Sequence, residues 1–552
     1  MKSLLISIFS TLYIGITIAQ TVGIQLNTTE AYDGYTLFAP MGYETTYLID
    51  NCGQVVNSWD SDHRPGLSAY LLEDGSLLRT KNLGNATFNS GGSAGGVEHF
   101  DWNGNLTWEY EVSSSTECQH HDVEYLPNGN ILMVVWELKT EAEAIQAGRD
   151  PDEVENAFWS EKIIEIEPSG SNGGTVVWEW HVWDHIVQDF DPTKDNYGVV
   201  ADNPQLIDIN YPNNNNPTIN SDWLHINSVD YNPELDQIVL SSHNTHELWV
   251  IDHSTTTSEA AGHTGGTYSS GGDLLYRWGN PQAYDAGTQQ DKKFFSQHDA
   301  RWITEGTDAG KLMVFNNGKN RTPGVSYSSV DIIDPPVDGN GNYTQPAGGQ
   351  PYLPTDQSWT YTADPTSDFY SSNISGAHRL PNDNTVICEG ANGRLFEVKT
   401  DGEIVWEYQT PVGTNGPVEQ GTNLTNGNSI FRCMRYGANY TGLAGQDLTP
   451  GDVIELNSTE TCELFENPTR ITDRFEITGP QIIQNHATGF ITLTELQQGT
   501  LLVIYDSCGR LILQKTTSSE IASVNTTFWP AGVYYITISA NDSLINRKLV
   551  KM

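Results

Sequence analysis

One arrangement of strands recurs six times along this chain and limits what the chain can fold into. Each copy has an apolar strand, an Asp, Asn or Gly turn, a strand ending near a tryptophan, and then another hairpin. The tryptophans are Trp59, Trp108, Trp178, Trp278, Trp359 and Trp406. A unit of so few short strands cannot bury both of its faces, so the copies must pack against one another. We therefore predict a six-bladed β-propeller over residues 45–460. A set of β-sandwiches is the alternative, but it does not explain the repeated order.

The composition agrees with an all-β protein. Only 18% of the residues are charged, 51 of the 552 are glycine, and long helical patterns are scarce. The formal net charge is −43, so the surface repels nucleic acid and anionic membranes, and we expect neither as a partner. The same charge opposes an anionic substrate, so a site for one must collect positive charge locally.

The first residues have the pattern of an export signal. Lys2 is followed by a short apolar run and then by small residues, with Thr17 and Ala19 placed for cleavage. We predict a signal peptide at 1–19 and a lead-in segment at 20–44. An uncleaved anchor is the alternative, although the apolar run is short for a membrane span. No later stretch is long and apolar enough to cross a bilayer, so we expect no stable membrane span.

The cysteines do not fix any disulfide. Six are present, Cys52, Cys118, Cys388, Cys433, Cys462 and Cys508. An exported chain can form disulfides, but six cysteines allow many pairings and their spacing selects none. No CxxC pair occurs, so neither a zinc ribbon nor a thioredoxin-like site has support.

The sequence changes character near Phe465. Residues 468–552 contain alternating strands, the turn "YDSCGR", the segment "AGVYYITI" and the basic end "RKLVKM". This pattern predicts a small C-terminal β-sandwich. The motifs resemble the C-terminal sorting domain of the type IX secretion system of Gram-negative bacteria. The resemblance implies export by the type IX machinery to the cell surface or the extracellular space, followed by removal of this domain. An ordinary accessory or binding sandwich is the alternative.

Three histidines occupy similar places in successive copies of the repeat. His121 opens "HDVEYL", His225 opens "HINSVD" and His298 opens "HDARWI", each at the start of the strand that follows the tryptophan-bearing part. In a propeller, equivalent positions of successive blades are related by rotation about the central axis. If these strands are the innermost ones, we expect the three side chains to converge at one mouth of the channel.

Three converging imidazoles can serve two kinds of chemistry. They can bind zinc or copper, although the sequence has neither an HExxH motif nor a tight acidic cluster beside them. They can also transfer a group, because a neutral imidazole nitrogen is a good nucleophile near neutral pH and protonated neighbours stabilise a developing anion. The residues alone leave both possibilities open.

The histidine-bearing segments suggest a family. "HHDVEYLPNGN", "WLHINSVDYNPELDQIVLSSHNTHELWVID" and "FFSQHDARWI" resemble the bacterial aryl-sulfate sulfotransferases, over residues 45–456. The resemblance implies a six-bladed propeller that moves a sulfuryl group from a phenolic sulfate donor to an acceptor phenol, with no nucleotide donor and no cofactor. It also implies a covalent sulfohistidine, with the nucleophile at His298 and with His121 and His225 as supporting catalytic residues.

One position departs from the family pattern. After "IVLSS" the family continues with an arginine that helps to hold the sulfate, whereas this chain has His243. Arginine is always charged and forks onto an oxyanion, but histidine is charged only part of the time. We therefore expect an activity that is weaker, more acid-dependent, shifted to another substrate or absent. His120 and His246 are candidates to compensate.

The chemistry favours aryl sulfates as substrates. Sulfuryl transfer, by analogy with phosphoryl transfer, depends mostly on positioning and on electrostatic stabilisation. A phenol leaves easily because its pKa is about 10, as for tyrosine. We predict that His298 attacks sulfur, that His225 and His243 hold the sulfuryl oxygens, and that His121 passes a proton to the departing phenolate.

Two other functions stay open at this point. One is a secreted propeller that only binds a partner and whose ancestral site has decayed at His243. The other is a His-ligated metalloenzyme. Near the nucleophile, Phe294, Phe295 and Trp302 are candidates for an aromatic pocket, with core packing as the alternative for each.

Overall fold

A computed structural model gives the fold of the chain. The structure describes residues 21–212, 221–321, 324–347, 349–424, 427–458, 461–465, 481–485, 490–494, 500–506, 510–517, 522–525, 529, 532–540 and 543–551. The signal peptide predicted at 1–19 lies outside the described residues. The chain divides into two compact units, residues 1–465 and 466–552.

Strands dominate the first unit. In chain order they are β1 (Gly23–Asn27), β2 (Gly34–Pro40), β3 (Thr46–Ile49), β4 (Val55–Trp59), β5 (Pro65–Leu71), β6 (Leu77–Asn82), β7 (Gly95–Phe100), β8 (Leu106–Glu111), β9 (Glu117–Tyr125), β10 (Ile131–Thr140), β11 (Ala157–Ser169), β12 (Gly173–His181), β13 (Ile186–Val187), β14 (Ile207–Asp208), β15 (Ile226–Asn232), β16 (Gln237–Ser242), β17 (Glu247–Asp252), β18 (Tyr276–Trp278), β19 (His298–Trp302), β20 (Leu312–Asn316), β21 (Ser329–Ile333), β22 (Trp359–Tyr361), β23 (Gly376–Arg379), β24 (Thr385–Glu389), β25 (Arg394–Val398), β26 (Ile404–Gln409), β27 (Val412–Gly413), β28 (Gly416–Pro417) and β29 (Ile430–Gly437).

Helices are short and few in the described part of the chain. They are α1 (Glu141–Ala147) and α2 (Thr257–Ala260), together with single 3₁₀ turns such as Val182–His185. Each α-helix begins at a capping box, Thr140 with Glu143 in α1 and Thr256 with Glu259 in α2. The prediction of an all-β protein is confirmed.

Six antiparallel sheets contain most of the strands of the first unit. Their strand orders are β29-β2-β3-β4, β5-β6-β7-β8, β9-β10-β11-β12, β15-β16-β17-β18, β19-β20-β21-β22 and β23-β24-β25-β26-β1, and we name them sheets 1 to 6 in that order. The strand that opens each order is its inner strand. Inner strands contact one another in sequence from β29 to β5, β9, β15, β19 and β23, and β23 contacts β29 again. The six sheets therefore form a closed ring.

The ring closes by pairing the two ends of this unit. In sheet 1 the inner strand β29 comes from the C-terminal side and pairs with β2, with Phe38 opposite Cys433. β1 adds a fifth strand to sheet 6 by pairing with β26. The segment predicted as a lead-in at 20–44 thus belongs to two sheets. The physical reason is that closing the ring leaves strand edges in the first and last sheets, and the N-terminal strands supply partners for them.

The six repeated tryptophans join each sheet to the next. All six lie on the fourth strand of their sheets, β4, β8, β12, β18, β22 and β26. Trp59 of sheet 1 donates from its indole N–H to Asp101 O of sheet 2 at 2.9 Å. Trp406 of sheet 6 donates to Asn51 O of sheet 1 at 2.8 Å and so completes the circuit. The sequence repeat is therefore the signature of a sheet-to-sheet contact.

The repeat read from the sequence is offset from the sheets by two strands. The copy that contains Trp108 joins β7 and β8 of sheet 2 to the hairpin β9–β10 of sheet 3. Each copy therefore supplies the outer half of one sheet and the inner half of the next. The core fills the space between neighbouring sheets: Leu132 and Trp180 of sheet 3 pack in one buried cluster with Trp249 of sheet 4.

The second unit is also made of strands. They are β30 (Gln481–Asn485), β31 (Phe490–Thr494), β32 (Leu501–Asp506), β33 (Leu511–Thr516), β34 (Ala522–Asn525), β35 (Gly532–Ala540) and β36 (Ser543–Lys551). They form two antiparallel sheets with the orders β30-β31-β34 and β33-β32-β35-β36. Buried side chains such as Leu502, Ile504 and Ile536 form the hydrophobic cluster of this unit.

A disulfide joins Cys52, in the turn between β3 and β4, to Cys462, beyond the last strand of the first unit. Cys118, Cys388 and Cys433 are buried free thiols, and Cys508 lies outside the described residues. In the part of the chain that the structure describes, no helix has the length and apolar character that a membrane span requires.

Candidate active site

The structure brings His121, His225 and His298 together, and His243 completes the row. The ring centres of His121 and His225 are 4.5 Å apart, those of His225 and His243 5.1 Å, and those of His243 and His298 5.3 Å. The four rings come from sheets 3, 4 and 5: His121 lies in the middle of the inner strand β9, His225 directly precedes β15, His298 begins β19, and His243 directly follows β16. With His120, which neighbours His121, they form what we call the histidine cluster.

The inner strands have backbone irregularities that orient these rings. Each of β9, β15 and β19 has a register shift against its partner strand, and His121 and His225 have positive φ angles of 52° and 56°. Asp122 and Asp299, which follow His121 and His298, each accept a backbone N–H from the next sheet. Ser228 accepts the corresponding N–H of Ala300, so Asn227, and not His225, occupies the position that matches the two histidines. His225 is therefore a neighbour of the other two rings without being at the rotationally equivalent position that the sequence alignment assigned to it.

His298 has a fixed tautomer. Its Nδ1 lies 2.7 Å from Asn317 Oδ1, and Asn317 Nδ2 donates to the backbone oxygens of Ser371 and Ile374, each at 2.9 Å. Because the amide nitrogen is committed to two acceptors, the amide oxygen must accept, and Nδ1 of His298 carries the hydrogen. Burial, followed by the charge on His243, holds the pKa of His298 well below its usual value. Nε2 of His298 is thus an unprotonated nitrogen.

His243 is held in the same way. Its Nδ1 lies 2.7 Å from Asn244 Oδ1, and Asn244 Nδ2 donates to the backbone oxygens of Asp222 and Trp223. Nδ1 of His243 therefore donates, and Nε2 carries the lone pair. Burial, followed by the charge on His225, lowers the pKa of His243 to about 4. At neutral pH the ring has no charge, and its Nε2 has no hydrogen to offer to a sulfuryl oxygen.

His225 has a carboxylate partner instead. Its Nδ1 lies 2.5 Å from Asp222 Oδ2, and Trp136 Nε1 donates to Asp222 Oδ1 at 3.0 Å. Burial raises the pKa of Asp222, but the charge on His225 and its hydrogen bond outweigh burial, so the pKa is lowered overall. Asp222 is therefore an anion that can balance a positive charge on His225.

His121 and His120 form a pair of imidazoles joined through their Nδ1 atoms, 2.8 Å apart. His120 stacks on Trp136 with ring centres 3.9 Å apart, and its buried Nε2 has no hydrogen-bond partner among the described residues. Orphaned buried N–H groups are rarer than orphaned acceptors, so the hydrogen of His120 belongs on Nδ1. It donates to His121 Nδ1, which leaves the hydrogen of His121 on Nε2. Burial, followed by neighbouring imidazole charge, holds the pKa of His121 well below its usual value.

Gly92 lets the ring of His121 approach the neighbouring backbone. A Cβ at Gly92 would collide with the His121 imidazole, and the φ of 88° at Gly92 also favours glycine. The backbone N–H of His121 donates to Gly92 O at 2.9 Å. The glycine-rich segment between β6 and β7 therefore supports the cluster from one side.

His246 holds the backbone that leads to His298. Its Nδ1 accepts a hydrogen bond from the N–H of Ser296 at 2.9 Å, two residues before His298. Burial, followed by the charge on Lys292, holds the pKa of His246 well below its usual value. His246 is thus a neutral ring that fixes a turn, and it does not join the histidine cluster.

Lysines supply positive charge near the cluster. Lys319 contributes to the low pKa of His243, after burial and His225. Burial lowers the pKa of Lys292 to about 8, and its Nζ lies 5.1 Å from the ring centre of Phe295. These cations are the local positive charge that an anionic substrate requires on so acidic a protein.

An apolar wall faces the imidazoles. Phe431, on the closing strand β29, has its ring centre 6.0 Å from that of His121 and 6.4 Å from that of His298. It packs in a buried cluster with Leu67 and Ile374, from the regions of β5 and β23, and with Met41. Half of the ring of inner strands is thus lined by imidazoles and the other half by apolar side chains. An aromatic substrate can contact both.

Of the aromatic residues named from the sequence, Phe294 and Trp302 pack in the core beside Trp278. Phe295 is buried as well, near Lys292 and Arg321. Core packing, the alternative given for each, describes Phe294 and Trp302. The aromatic rings beside the cluster are Trp136, on which His120 stacks, and Phe431, which no local motif indicates.

Buried ion pairs lie next to the cluster. Asp122 and Asp299 directly follow His121 and His298, and both contact Arg432: its Nη1 donates to Asp122 Oδ2 at 2.8 Å and its Nε lies 2.9 Å from Asp299 Oδ1. The carboxylates also accept backbone N–H groups of the next sheet, from Val229 to Asp122 and from Ala377 to Asp299. This network joins sheets 1, 3, 4, 5 and 6 under the histidines.

The cluster does not have the geometry of a metal site. Where three His, Cys or carboxylate ligand atoms share one ion, they lie close together, as in His185, His263 and Asp273, whose ligand atoms are all within 4.8 Å of one another. Among the described residues, the histidine cluster contains no such group of three. The Nδ1 atoms of these histidines are hydrogen-bonded to amides, to a carboxylate and to one another.

Comparison with known proteins identifies the family. A match to the arylsulfotransferase (ASST) family covers residues 25–414, from within β1 to beyond β27. The chain belongs to the arylsulfotransferase family. A second match, to the secretion system C-terminal sorting domain, covers residues 485–552. This sorting domain directs the family member to the cell surface or the extracellular space through the type IX system of Gram-negative bacteria.

No curated protein matches the chain over its sequence. Solved structures with similarity include a protein of unknown function from Bacteroides caccae, with 10% identity, 73% of this chain and 98% of that chain covered, and a TM-score of 0.39. PorZ of Porphyromonas gingivalis has 10% identity, 93% and 50% coverage and a TM-score of 0.28. Virginiamycin B lyase from Staphylococcus aureus has 10% identity, 71% and 90% coverage and a TM-score of 0.31. At these scores the likeness carries no argument about fold or activity.

Proposed function

We propose that this arylsulfotransferase-family protein is a secreted aryl-sulfate sulfotransferase. It moves a sulfuryl group from a phenolic sulfate ester to an acceptor phenol through a covalent sulfohistidine at His298. The catalytic domain is a six-bladed β-propeller built from sheets 1 to 6, so it starts at β1 and not at residue 45. The segment 468–552 is a small β-sandwich that the type IX machinery recognises, and residues 1–19 are a signal peptide.

The unprotonated Nε2 of His298 carries this proposal. Asn317 takes the Nδ1 hydrogen and orients the ring, so the lone pair on Nε2 is available for attack at neutral pH. In the first stage, Nε2 forms a bond to sulfur as the bond from sulfur to the donor phenol oxygen breaks. The electron pair of that bond leaves with the phenolate.

His121 stabilises the departing oxygen in the same stage. Its hydrogen lies on Nε2, because His120 supplies the hydrogen bond to Nδ1, and this N–H donates a hydrogen bond to the phenolate as it leaves. In the second stage, an acceptor phenol that has lost its proton to solvent accepts the same hydrogen bond while its oxygen bonds to sulfur. The bond from His298 to sulfur then breaks, and its electron pair returns to Nε2.

His225 stabilises the transferring group. Asp222 lies against its Nδ1 and offers the negative partner that a positively charged ring needs. Such a ring presents an Nε2–H to a sulfuryl oxygen, where charge is spread in the transition state. The aromatic ring of the donor or acceptor lies against Phe431, whose apolar neighbours Leu67 and Ile374 exclude water from that side.

A binding module is the second candidate function. The observation that favours it is the neutral state of His243, which occupies the position of the family's sulfate-holding arginine. In that case the histidine cluster keeps its shape, but it cannot hold the sulfuryl oxygens and does not catalyse the transfer. The metalloenzyme alternative has less support, since among the described residues no three ligand atoms of the cluster lie close enough to share one ion.

Incubation of the secreted protein with 4-nitrophenyl sulfate and phenol tests the proposal. Transfer predicts release of nitrophenol that requires phenol and produces phenyl sulfate. It also predicts loss of release in His298→Ala but not in the matched control His99→Ala, which changes a histidine on the third strand of sheet 2. Trapping [³⁵S]sulfuryl label on the wild-type chain, and not on His298→Ala, shows the covalent stage directly.

Other results of this assay contradict the proposal. Release without an acceptor indicates a sulfatase. No release by a folded wild-type protein favours the binding module, and loss of release on chelation, restored by metal, favours the metalloenzyme.

A further inference from the structure

A second group of histidines lies away from the cluster, at the outer part of sheets 3 and 4. His185 ends a 3₁₀ turn that follows β12, and His263 and Asp273 lie in the segment between β17 and β18. His185 Nδ1 is 2.9 Å from Asp273 Oδ1, and His263 Nδ1 is 2.7 Å from the same oxygen. Two imidazole nitrogens therefore converge on one carboxylate oxygen.

The tautomer of His185 implies that a cation lies between its Nδ1 and the carboxylate of Asp273. Its Nε2 lies 2.7 Å from Ala260 O, a carbonyl that can only accept, so Nε2 carries the hydrogen. In the neutral ring, Nδ1 then has a lone pair, and it points at a carboxylate oxygen that also has only lone pairs. A cation must lie between them, either a proton or a metal ion.

The surroundings hold His185 in this orientation. Trp180 stacks parallel to it, with ring centres 5.7 Å apart, and Trp180 Nε1 donates to Gly272 O at 2.7 Å. A Cβ at Gly272 would collide with both the His185 ring and Ala260 O, so the backbone closes against the ring. Metal-binding histidines usually donate a hydrogen bond from their second ring nitrogen to a group such as a backbone carbonyl, and His185 has this arrangement.

We propose that His185, His263 and Asp273 bind a zinc ion. Zinc takes imidazole nitrogens and carboxylate oxygens at about 2.0–2.2 Å, which sets tetrahedral ligand atoms about 3.3 Å apart. The separations of 2.9 and 2.7 Å from Asp273 Oδ1 need to widen by a few tenths of an ångström, and the two imidazole nitrogens, which lie within 4.8 Å of each other, need to settle at the same spacing. The His263 side chain is 59% exposed, so the ion can enter and a water can take the fourth position. His185 and Asp273 are buried beneath it.

The ion would connect neighbouring sheets. The 3₁₀ turn of His185 follows the last strand of sheet 3, and the segment of His263 and Asp273 precedes the last strand of sheet 4. Zinc would therefore link the outer edges of the two sheets. It would do so within the long segment from α2 to β18, which has little regular structure. The site is separate from the proposed sulfuryl transfer, which uses none of these residues.

Zinc binding by the full-length secreted protein tests this inference. The protein is stripped with a chelator, titrated with zinc chloride by calorimetry, and its bound zinc is measured by elemental analysis. We expect one zinc per chain in the wild type, in His298→Ala and in the control His99→Ala. In His263→Ala and in the isosteric Asp273→Asn, the affinity for zinc should fall by about 100-fold or more. Removing a ligand should weaken binding by more than removing a residue that only hydrogen-bonds to a ligand.

Three outcomes would overturn the site. They are no zinc bound, zinc retained at full affinity in both His263→Ala and Asp273→Asn, and zinc lost in His298→Ala, which would assign it to the histidine cluster. His263 is exposed, so its replacement leaves the fold intact, which circular dichroism checks. A zinc-edge anomalous peak between His185 Nδ1 and Asp273 Oδ1 in crystals gives the position independently.

Discussion

Asn317 Oδ1 accepts the hydrogen on His298 Nδ1 at 2.7 Å, and the amide cannot turn over because its nitrogen donates to the carbonyls of Ser371 and Ile374. One asparagine thus fixes both the orientation and the tautomer of the imidazole. Asn244 does the same for His243. The nitrogen that keeps its lone pair is therefore selected by the residues behind each ring and not by a neighbouring base.

Asn317→Ala is expected to lower kcat by about 10–100-fold, the range for loss of a partner that orients a reacting imidazole. KM should change little, because Asn317 does not touch the substrate in the proposed mechanism. Steady-state kinetics with 4-nitrophenyl sulfate and phenol measure both constants. Asn103→Ala, at an exposed turn, is the control. An unchanged kcat in a folded Asn317→Ala protein would mean that the tautomer is set elsewhere.

His243→Arg is expected to raise kcat/KM at pH 7 by about tenfold or more, since a hydrogen bond to a charged group contributes about 1.5–3 kcal/mol. The pKa of His243 is lowered to about 4, so the wild-type ring is neutral at pH 7 and gains its proton as the pH falls. Wild-type kcat/KM should therefore increase as pH is lowered from 7 toward 5, and that increase should be smaller in His243→Arg. Identical pH profiles in the two proteins would remove His243 from substrate binding.

The sequence indicates the ring of sheets because its tryptophans are local markers of a long-range contact. Each one sits on a fourth strand and reaches the following sheet, so its spacing repeats even where insertions change the length of a copy. The strand pairing that closes the ring of sheets could not be predicted in this way. β2 pairs with β29 across almost the whole first unit, and no local pattern in residues 20–44 indicates that partner.

The residues of the site likewise fall into two groups, those that a local motif indicates and those that only the tertiary structure brings together. His121 and His298 share the dipeptide His-Asp on an inner strand, and this motif could be aligned. Asn317 follows a second strand and Phe431 lies on the closing strand, so their proximity to His298 depends on tertiary structure alone. Asp222 was within reach of sequence reasoning, because it lies three residues before His225.

Trp406→Phe is expected to destabilise the first unit by about 1–3 kcal/mol, because it leaves the buried Asn51 carbonyl without its donor at the closure of the ring. Trp359→Phe removes the matching bond to Thr400 O, which is exposed to water, and should cost below about 1 kcal/mol. Urea unfolding followed by tryptophan fluorescence and circular dichroism compares the two. Equal losses in both variants would contradict a special role for the closing contact.

Arg432→Met is expected to destabilise the first unit by about 3–5 kcal/mol at pH 7, because it leaves the carboxylates of Asp122 and Asp299 buried with less positive charge beside them. Burial raises the pKa of Asp299, but Arg301 and Arg432 outweigh burial and bring the folded-state pKa below the ordinary value of 3.8. Such a carboxylate stabilises the fold above its unfolded-state pKa, and the contribution is lost as pH falls through the folded-state pKa.

The loss caused by Arg432→Met should therefore be largest near neutral pH and shrink as pH approaches about 4, where a carboxylate that has lost its partner takes up a proton. Urea unfolding at a series of pH values measures this difference. Arg432→Lys keeps a positive charge without the fork that contacts two carboxylates at once, so it should lie between the wild type and Arg432→Met. If the loss is the same at every pH, then it comes from packing around Phe431, and the charge of Arg432 is not what holds Asp122 and Asp299 in place.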